Sequence, residues 1–186
     1  MSKKQVFIFL IFIIAIAAFL RLYKLQSFPP GLYPDEAMNG NNALEALKTG
    51  PPDGGFKWFY PENNGREALF INIQALSVAV FGNEPWALRG VSAIVGILTV
   101  LGLFFLTRTL LGNDRTALFA SFFLAVSFWH VMFSRIGFRA IMAPFFLVWS
   151  FYFLWKALVY FAGIAGIFFG LGFHTYISYR AAPLLL

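Results

Sequence analysis

The chain has 186 residues, of which 60% are hydrophobic and 12% charged, with 25 phenylalanines, a formal charge of +6 and no cysteine. The missing thiols exclude disulfides and thiolate metal sites and leave no redox clue to compartment. In a soluble domain the positive charge would suggest nucleic acid, but here the basic residues stand singly at the ends of apolar segments, where lipid headgroups or a phosphorylated ligand are the fitting partners and nucleic acid is not.

Apolar runs occupy 6–20, 91–107, 116–133, 141–155 and 157–173, and none contains Asp, Glu, Lys or Arg. A bilayer core of about 30 Å takes roughly 20 predominantly apolar residues per helix, a length the runs reach with their Trp, Tyr and small polar flanks. The expected fold class is all-α: a polytopic helical membrane protein with spans at about 5–23, 86–108, 116–134, 140–156 and 157–175.

The first run begins after Lys3 and Lys4, and Arg21 and Lys24 follow it at once. Ala15, Ala17 and Ala18 would suit a cleavable signal peptide, but the basic flank replaces the small polar cleavage region, so the segment reads as an uncleaved anchor. The two lysines then put the N-terminus in the cytoplasm and the loop 24–85 outside it. Within that loop the apolar core 68–81 is only about 21 Å long as a helix, too short to span comfortably. Two membrane-surface helices are therefore expected in this external loop, at about 34–49 and 66–82. The turn "LGNDR" at 111–115 would be cytoplasmic, and Lys156 would end the fourth span on that side.

On the first surface helix Pro34 suits the opening turn, and Asp35 and Glu36 complement the helix dipole, so N-terminal capping alone accounts for both acids. Spacing adds a second reading. At 100° per residue Asp35, Asn39 and Asn42 share one face, opposite Ala37, Gly40, Leu44 and Leu47. A carboxylate flanked by two carboxamides suits hydroxyl groups of a sugar or an acceptor alcohol. Glu36 is rotated away from that face, so its loss is expected to cost less activity than loss of Asp35.

"FSRIGFRAIMAPFF" supplies the opposite charge. Arg135 and Arg139 are four residues apart, a spacing that destabilises a helix unless an anion bridges the pair, and guanidinium forks match phosphate oxygens. Snorkelling to headgroups is the alternative for each. The topology places Asp35, Glu36, Glu62, Arg66, Glu67, Arg135, Arg139, His174 and Arg180 on one face of the membrane, which makes Arg66 and Arg180 candidate substrate-binding residues beside Asn39 and Asn42.

The order of these features, with the amphipathic helix ending in "LKTG", then "WALRGVSAIVGILTVLGLFFLTRTLLG", "SRIGFRAIMAPFF" and "GLGFHTYISYRAAPLL", resembles the N-terminal part of GT-C membrane glycosyltransferases. It is most similar to the superfamily of protein O-mannosyltransferases and lipid A aminoarabinose transferases, in its bacterial branch. The resemblance implies a GT-C transmembrane bundle in the plasma (inner) membrane. It also implies a sugar donor on a polyprenyl phosphate, a hydroxyl-bearing acceptor in a cell-envelope lipid, polysaccharide or protein, and catalysis on the external face. By resemblance Asp35 matches the acid that activates the acceptor, Glu36 its partner, and Arg135 a donor-phosphate contact, with Arg139 beside it. Family members are normally several hundred residues longer, so the chain reads as an N-terminal fragment. Some relatives use a divalent metal near this site; His130, His174 and Glu36 are the residues that could be recruited, and no metal ligand is assigned.

Two other functions share parts of this pattern. A catalytically silent subunit that binds lipid-linked sugar would have the same surface features. A transporter would place ionisable residues inside its spans, and here only His130 interrupts the apolar cores.

Overall fold

The computed structural model describes residues 1–48, 55–62, 65–156 and 159–185. The expected end of the first surface helix at residue 49 and the expected start of the last span at 157 lie outside the described residues. The described residues form eight α-helices, two 3-10 segments and one two-stranded ribbon, an all-α helical membrane protein.

Helix α1 (Lys3–Leu22) opens with a capping box in which Gln5 N–H donates to Ser2 Oγ at 3.3 Å and Ser2 N–H donates to Gln5 Oε1 at 2.9 Å. Helix α4 (Pro85–Leu111) has Pro at its first position and Gly112 in the left-handed conformation beyond its last (φ 61°), as a tight helix exit requires. Asn113 then caps α5 (Asp114–Val126) by accepting from the N–H groups of Arg115 and Thr116. The expected turn at 111–115 therefore arises directly from "LGND". Among the described residues α1 and α4 are the two single helices long and apolar enough to cross a membrane.

The expected span 116–134 is one apolar run in the sequence but two helices in the structure. Helices α5 and α6 (Phe128–Arg135) meet at Ser127 with a bend of 56°. Neither Pro nor Gly stands there, so no local signal marks the break. Its cause is tertiary: the Ala125 carbonyl, which the bend releases from the helical ladder, accepts from Arg21 at 3.0 Å, and the Leu124 carbonyl accepts from Arg21 at 3.4 Å beside the Ser127 N–H at 3.3 Å. Freed backbone groups at membrane depth need such partners.

Helix α7 (Met142–Trp155) comes after a 3-10 turn, Arg139–Ile141, and α8 (Val159–Gly172) returns beside it. The pair is joined by ring contacts, Phe153 with Phe161 at 6.0 Å and Phe145 with Phe168 at 6.0 Å between centroids. Both helices are shorter than a full span. Helix α4 is the central element: Val100 and Phe104 pack with Val6, Ile13 and Ala17 of α1 and with Ala117 of α5, whereas Val91 and Val95 pack with Ile141, Met142 and Phe146. A Cβ on Gly102 would lie 2.8–2.9 Å from Val148 and Trp149 atoms, so glycine permits the close approach of α4 and α7.

Two further helices sit against the first half of α4. Helix α2 (Pro34–Ala46) and helix α3 (Leu69–Phe81) bury Ala43, Ala46, Ala75 and Val78 against Ala87 and Leu88. The helix expected at 66–82 is shorter at its start, because Arg66 and Glu67 form strand β2. It pairs antiparallel with β1 (Phe59–Tyr60) in the register Phe59 to Glu67 and Tyr60 to Arg66.

Candidate active site

The ribbon determines where Arg66 goes. Its partner Tyr60 is buried and donates its hydroxyl to Asn72 Oδ1 on α3 at 3.0 Å, which ties the ribbon to the α3 start. Arg66 is thereby laid across α2, where Nη1 donates to Asn39 Oδ1 at 2.5 Å and Nη2 to Asn42 Oδ1. The carboxamide nitrogens are used as well: Asn39 Nδ2 donates to the Gly137 carbonyl at 3.0 Å and Asn42 Nδ2 to Glu62 Oε2 at 3.3 Å. Both carboxamides expected to meet substrate hydroxyls are therefore engaged within the protein, and Asn39 also lines the cavity described next. Asn39 and Asn42 are buried and hold Arg66 and the 137 turn in place.

Asp35, at the first turn of the same helix, keeps one side on a cavity of about 110 Å³ lined also by Asn39, Arg66, Phe138, Arg139 and Tyr176. Burial and the neighbouring Arg139 guanidinium pull Arg66 below the usual arginine value, while the charges of Glu62 and Asp35 act in the opposite direction. Arg66 Nε is buried and has no hydrogen-bond partner among the described residues. Arg139 Nη1 is 2.7 Å from Glu67 Oε2, and its guanidinium lies 5.5 Å from the centre of the Tyr176 ring. Arg180 reaches the other oxygen of Glu67 at 3.9 Å from a more exposed position. Phe138 meets Tyr176 edge to face at 5.9 Å. One carboxylate, two guanidiniums and two aromatic rings therefore converge on one small cavity.

Glu36 faces the other way and is not part of it. Arg89 of α4 donates to both of its oxygens, Nε to Oε1 at 2.7 Å and Nη2 to Oε2 at 3.2 Å, and each partner is 1% exposed. The same guanidinium donates to the carbonyls of Leu25, Pro29 and Gly31. Glu36 in turn accepts from the backbone N–H of Tyr33 and of Gly137, each at 3.2 Å. A Cβ at Gly137 would come within 2.9 Å of Gln74 Nε2 and 3.0 Å of Glu36 Cγ, so glycine lets this backbone close on α2 and presents Phe138 and Arg139 to the cavity.

Arg135 and Arg139 are separated rather than paired. Arg135 Nη1 donates to the Leu20 carbonyl at 2.7 Å, and Nη2 to the carbonyls of Tyr23 and Phe28 at 2.8 and 2.9 Å. It lines a second cavity, about 290 Å³, with Phe19, Leu20, Tyr23 and Phe28, away from Asp35. The chain leaves the helical path at Ile136 (ψ 146°), which sends the two side chains in different directions.

Arg21 and Arg89, each one or two residues outside an apolar run, are wholly or almost wholly buried, and the sequence-based reading gives neither a catalytic or binding role. Arg21 also donates to Ser134 Oγ at 3.2 Å and contacts His130 Nδ1 at 2.8 Å. Because arginine has only donors, His130 Nδ1 must accept, leaving the ring proton on Nε2. His130 is thus engaged with Arg21 and Glu36 with Arg89, while His174 is exposed. Among the described residues no group of three or more His, Asp or Glu side chains gathers to hold a metal.

Residues 69–185 match the dolichyl-phosphate-mannose-protein mannosyltransferase family. No curated protein and no solved structure matches the chain. The matched segment contains Phe138, Arg139, Tyr176 and the whole α4–α8 bundle, whereas Asp35, Asn39 and Arg66 precede it. With most of its length in that match and an all-α membrane fold around it, the chain belongs to the dolichyl-phosphate-mannose-protein mannosyltransferase family of GT-C membrane glycosyltransferases.

Proposed function

We propose that the protein moves a sugar from a polyprenyl-phosphate donor to a hydroxyl group of a cell-envelope acceptor, with the reaction at the Asp35 cavity. The observation that carries this reading is the convergence of Asp35, Arg66 and Arg139 on one cavity. A lipid-linked sugar presents a phosphate at the membrane surface, which calls for cations, while the acceptor hydroxyl calls for a base. Asp35 takes the hydroxyl proton as the acceptor oxygen bonds to the anomeric carbon. The bond from that carbon to the phosphate oxygen breaks, and the departing phosphate keeps the electron pair. Arg139 meets the charge that develops there, and Arg66 Nε supplies a further donor. The rings of Phe138 and Tyr176 give the cavity apolar walls for the less polar face of a sugar. Arg180 extends the cationic rim through Glu67.

Orientation can be argued from where the charges are already satisfied. At the cavity end Arg21, Arg89 and Arg135 donate to backbone carbonyls and Arg66 to carboxamides, so these cations are taken up by the protein itself. We assign that end to the extracytoplasmic face, with Lys3 and Lys4 on the cytoplasmic side, in accord with the positive-inside rule.

The donor role of Arg139 is tested by sugar-transfer kinetics in membranes carrying the protein. A charge-assisted hydrogen bond worth about 1.5–3 kcal/mol predicts that Arg139→Ala raises the donor KM roughly ten- to a hundredfold, with Arg139→Lys restoring it in part. Donor kinetics unchanged in both variants would remove Arg139 from the site. Absence of transfer by the wild-type protein under the same conditions would favour a silent lipid-sugar binding subunit.

A further inference from the structure

At the opposite end of the bundle from Asp35, a groove of about 670 Å³ runs between α1 and α4. Lys3, Phe7 and Ile14 line it from α1, and Leu101, Phe105 and Arg108 from α4. We propose that this groove is a binding site for one anionic phospholipid, its phosphate between Lys3 and Arg108 and an acyl chain along the apolar floor. Two features select this occupant. The first is charge: the lining is apolar except at one end, where both cations stand. Arg108 is already 2.7 Å from Asp114, but its side chain remains 46% exposed and its guanidinium lies 6.0 Å from the Phe104 ring centre, so it is held at the rim with donors still outward.

The second is length. From Lys3 to Ile14 the helix rises about 16 Å at 1.5 Å per residue. That is about half of a 30 Å hydrocarbon core, the depth of one leaflet. A groove that begins at two cations and ends near the bilayer midplane has the dimensions of a single lipid, headgroup to chain end. A helix laid there would have to run the full bilayer and would leave Lys3 and Arg108 against apolar side chains.

The test is native mass spectrometry of the protein released from nanodiscs of equal parts phosphatidylglycerol and phosphatidylcholine. Wild type should retain phosphatidylglycerol in excess by about an order of magnitude. Each basic residue near an anionic surface contributes about fivefold, with Arg108 giving less because Asp114 shares its charge. Lys3→Gln combined with Arg108→Gln should bring the ratio close to one. Ile11→Trp, which fills the groove from an exposed position, should lower retention of both lipids. Lys4→Gln, beside Lys3 but outside the groove, should leave the ratio unchanged. Parity in the wild type, a preference that survives the double variant, full retention in Ile11→Trp, or a loss in Lys4→Gln equal to that in Lys3→Gln would each overturn the site.

Discussion

Asp35 and Glu36 are neighbours in sequence and opposites in structure. One lines a small polar cavity with Arg66 and Arg139; the other is sealed against Arg89 with 1% of its surface exposed. A helix turns 100° between them, and that turn separates the residue proposed for chemistry from a residue that ties α2 to its neighbours. Glu36 and Arg89 join α2, α4, the 25–31 segment and Gly137, so the cavity walls formed by α2 and by the 137–139 turn depend on them. The polar face of a short helix beside a membrane need not be the binding face, because buried cations can claim it first.

Removing the Glu36 charge is the strongest way to break this comparison. Glu36→Gln leaves Arg89 buried without its counter-charge, and loss of one partner of a buried pair costs about 3–5 kcal/mol. The thermal midpoint of the purified protein should fall steeply. The double variant Glu36→Gln with Arg89→Gln should lose less than the sum of the singles. The sequence-based expectation ranks Glu36 below Asp35 for activity alone; for stability the buried pair with Arg89 makes Glu36 the larger loss.

Arg21→Met is next in size. It strips the Ala125 carbonyl of its donor and leaves that of Leu124 with the Ser127 N–H alone, and a buried unsatisfied polar group costs about 1–3 kcal/mol. A lower thermal midpoint is expected, and an unchanged one would show that the bend at Ser127 does not rely on Arg21.

The smallest of the stability effects is expected at Arg135, which is only half-buried. Arg135→Gln should cost about 1 kcal/mol by loosening the 20–28 segment, with donor KM little changed. A donor defect as large as that of Arg139→Ala would return Arg135 to the phosphate site that its sequence motif first suggested.

Much of the helical framework can be read from local residues. "LGND" dictates the α4–α5 turn because its glycine takes the left-handed conformation and its asparagine caps the first turn of α5. Asp35 and Arg139 stand out through charge beside apolar runs, and both line the cavity. What escaped was non-local. The break at Ser127 depends on a guanidinium more than a hundred residues earlier in the chain, and the ribbon that lays Arg66 over Asn39 and Asn42 has two residues per strand, too few for an alternating pattern. Arg89 did leave a signal: in "WALRG" it interrupts the first turns of a span, where an arginine needs a buried partner.

The most direct test of the division between the neighbours is the transfer rate of Asp35→Asn, measured with saturating donor and acceptor in membranes where the variant's thermal midpoint is also recorded. Asparagine keeps the size of aspartate but cannot take a proton, so the rate should fall by about 10² or more. At the second position of a helix whose N-cap is Tyr33, the lost charge should cost no more than about 1 kcal/mol of stability. A variant that transfers sugar at the normal rate would contradict the account and leave Asp35 as a first-turn acid that complements the helix dipole.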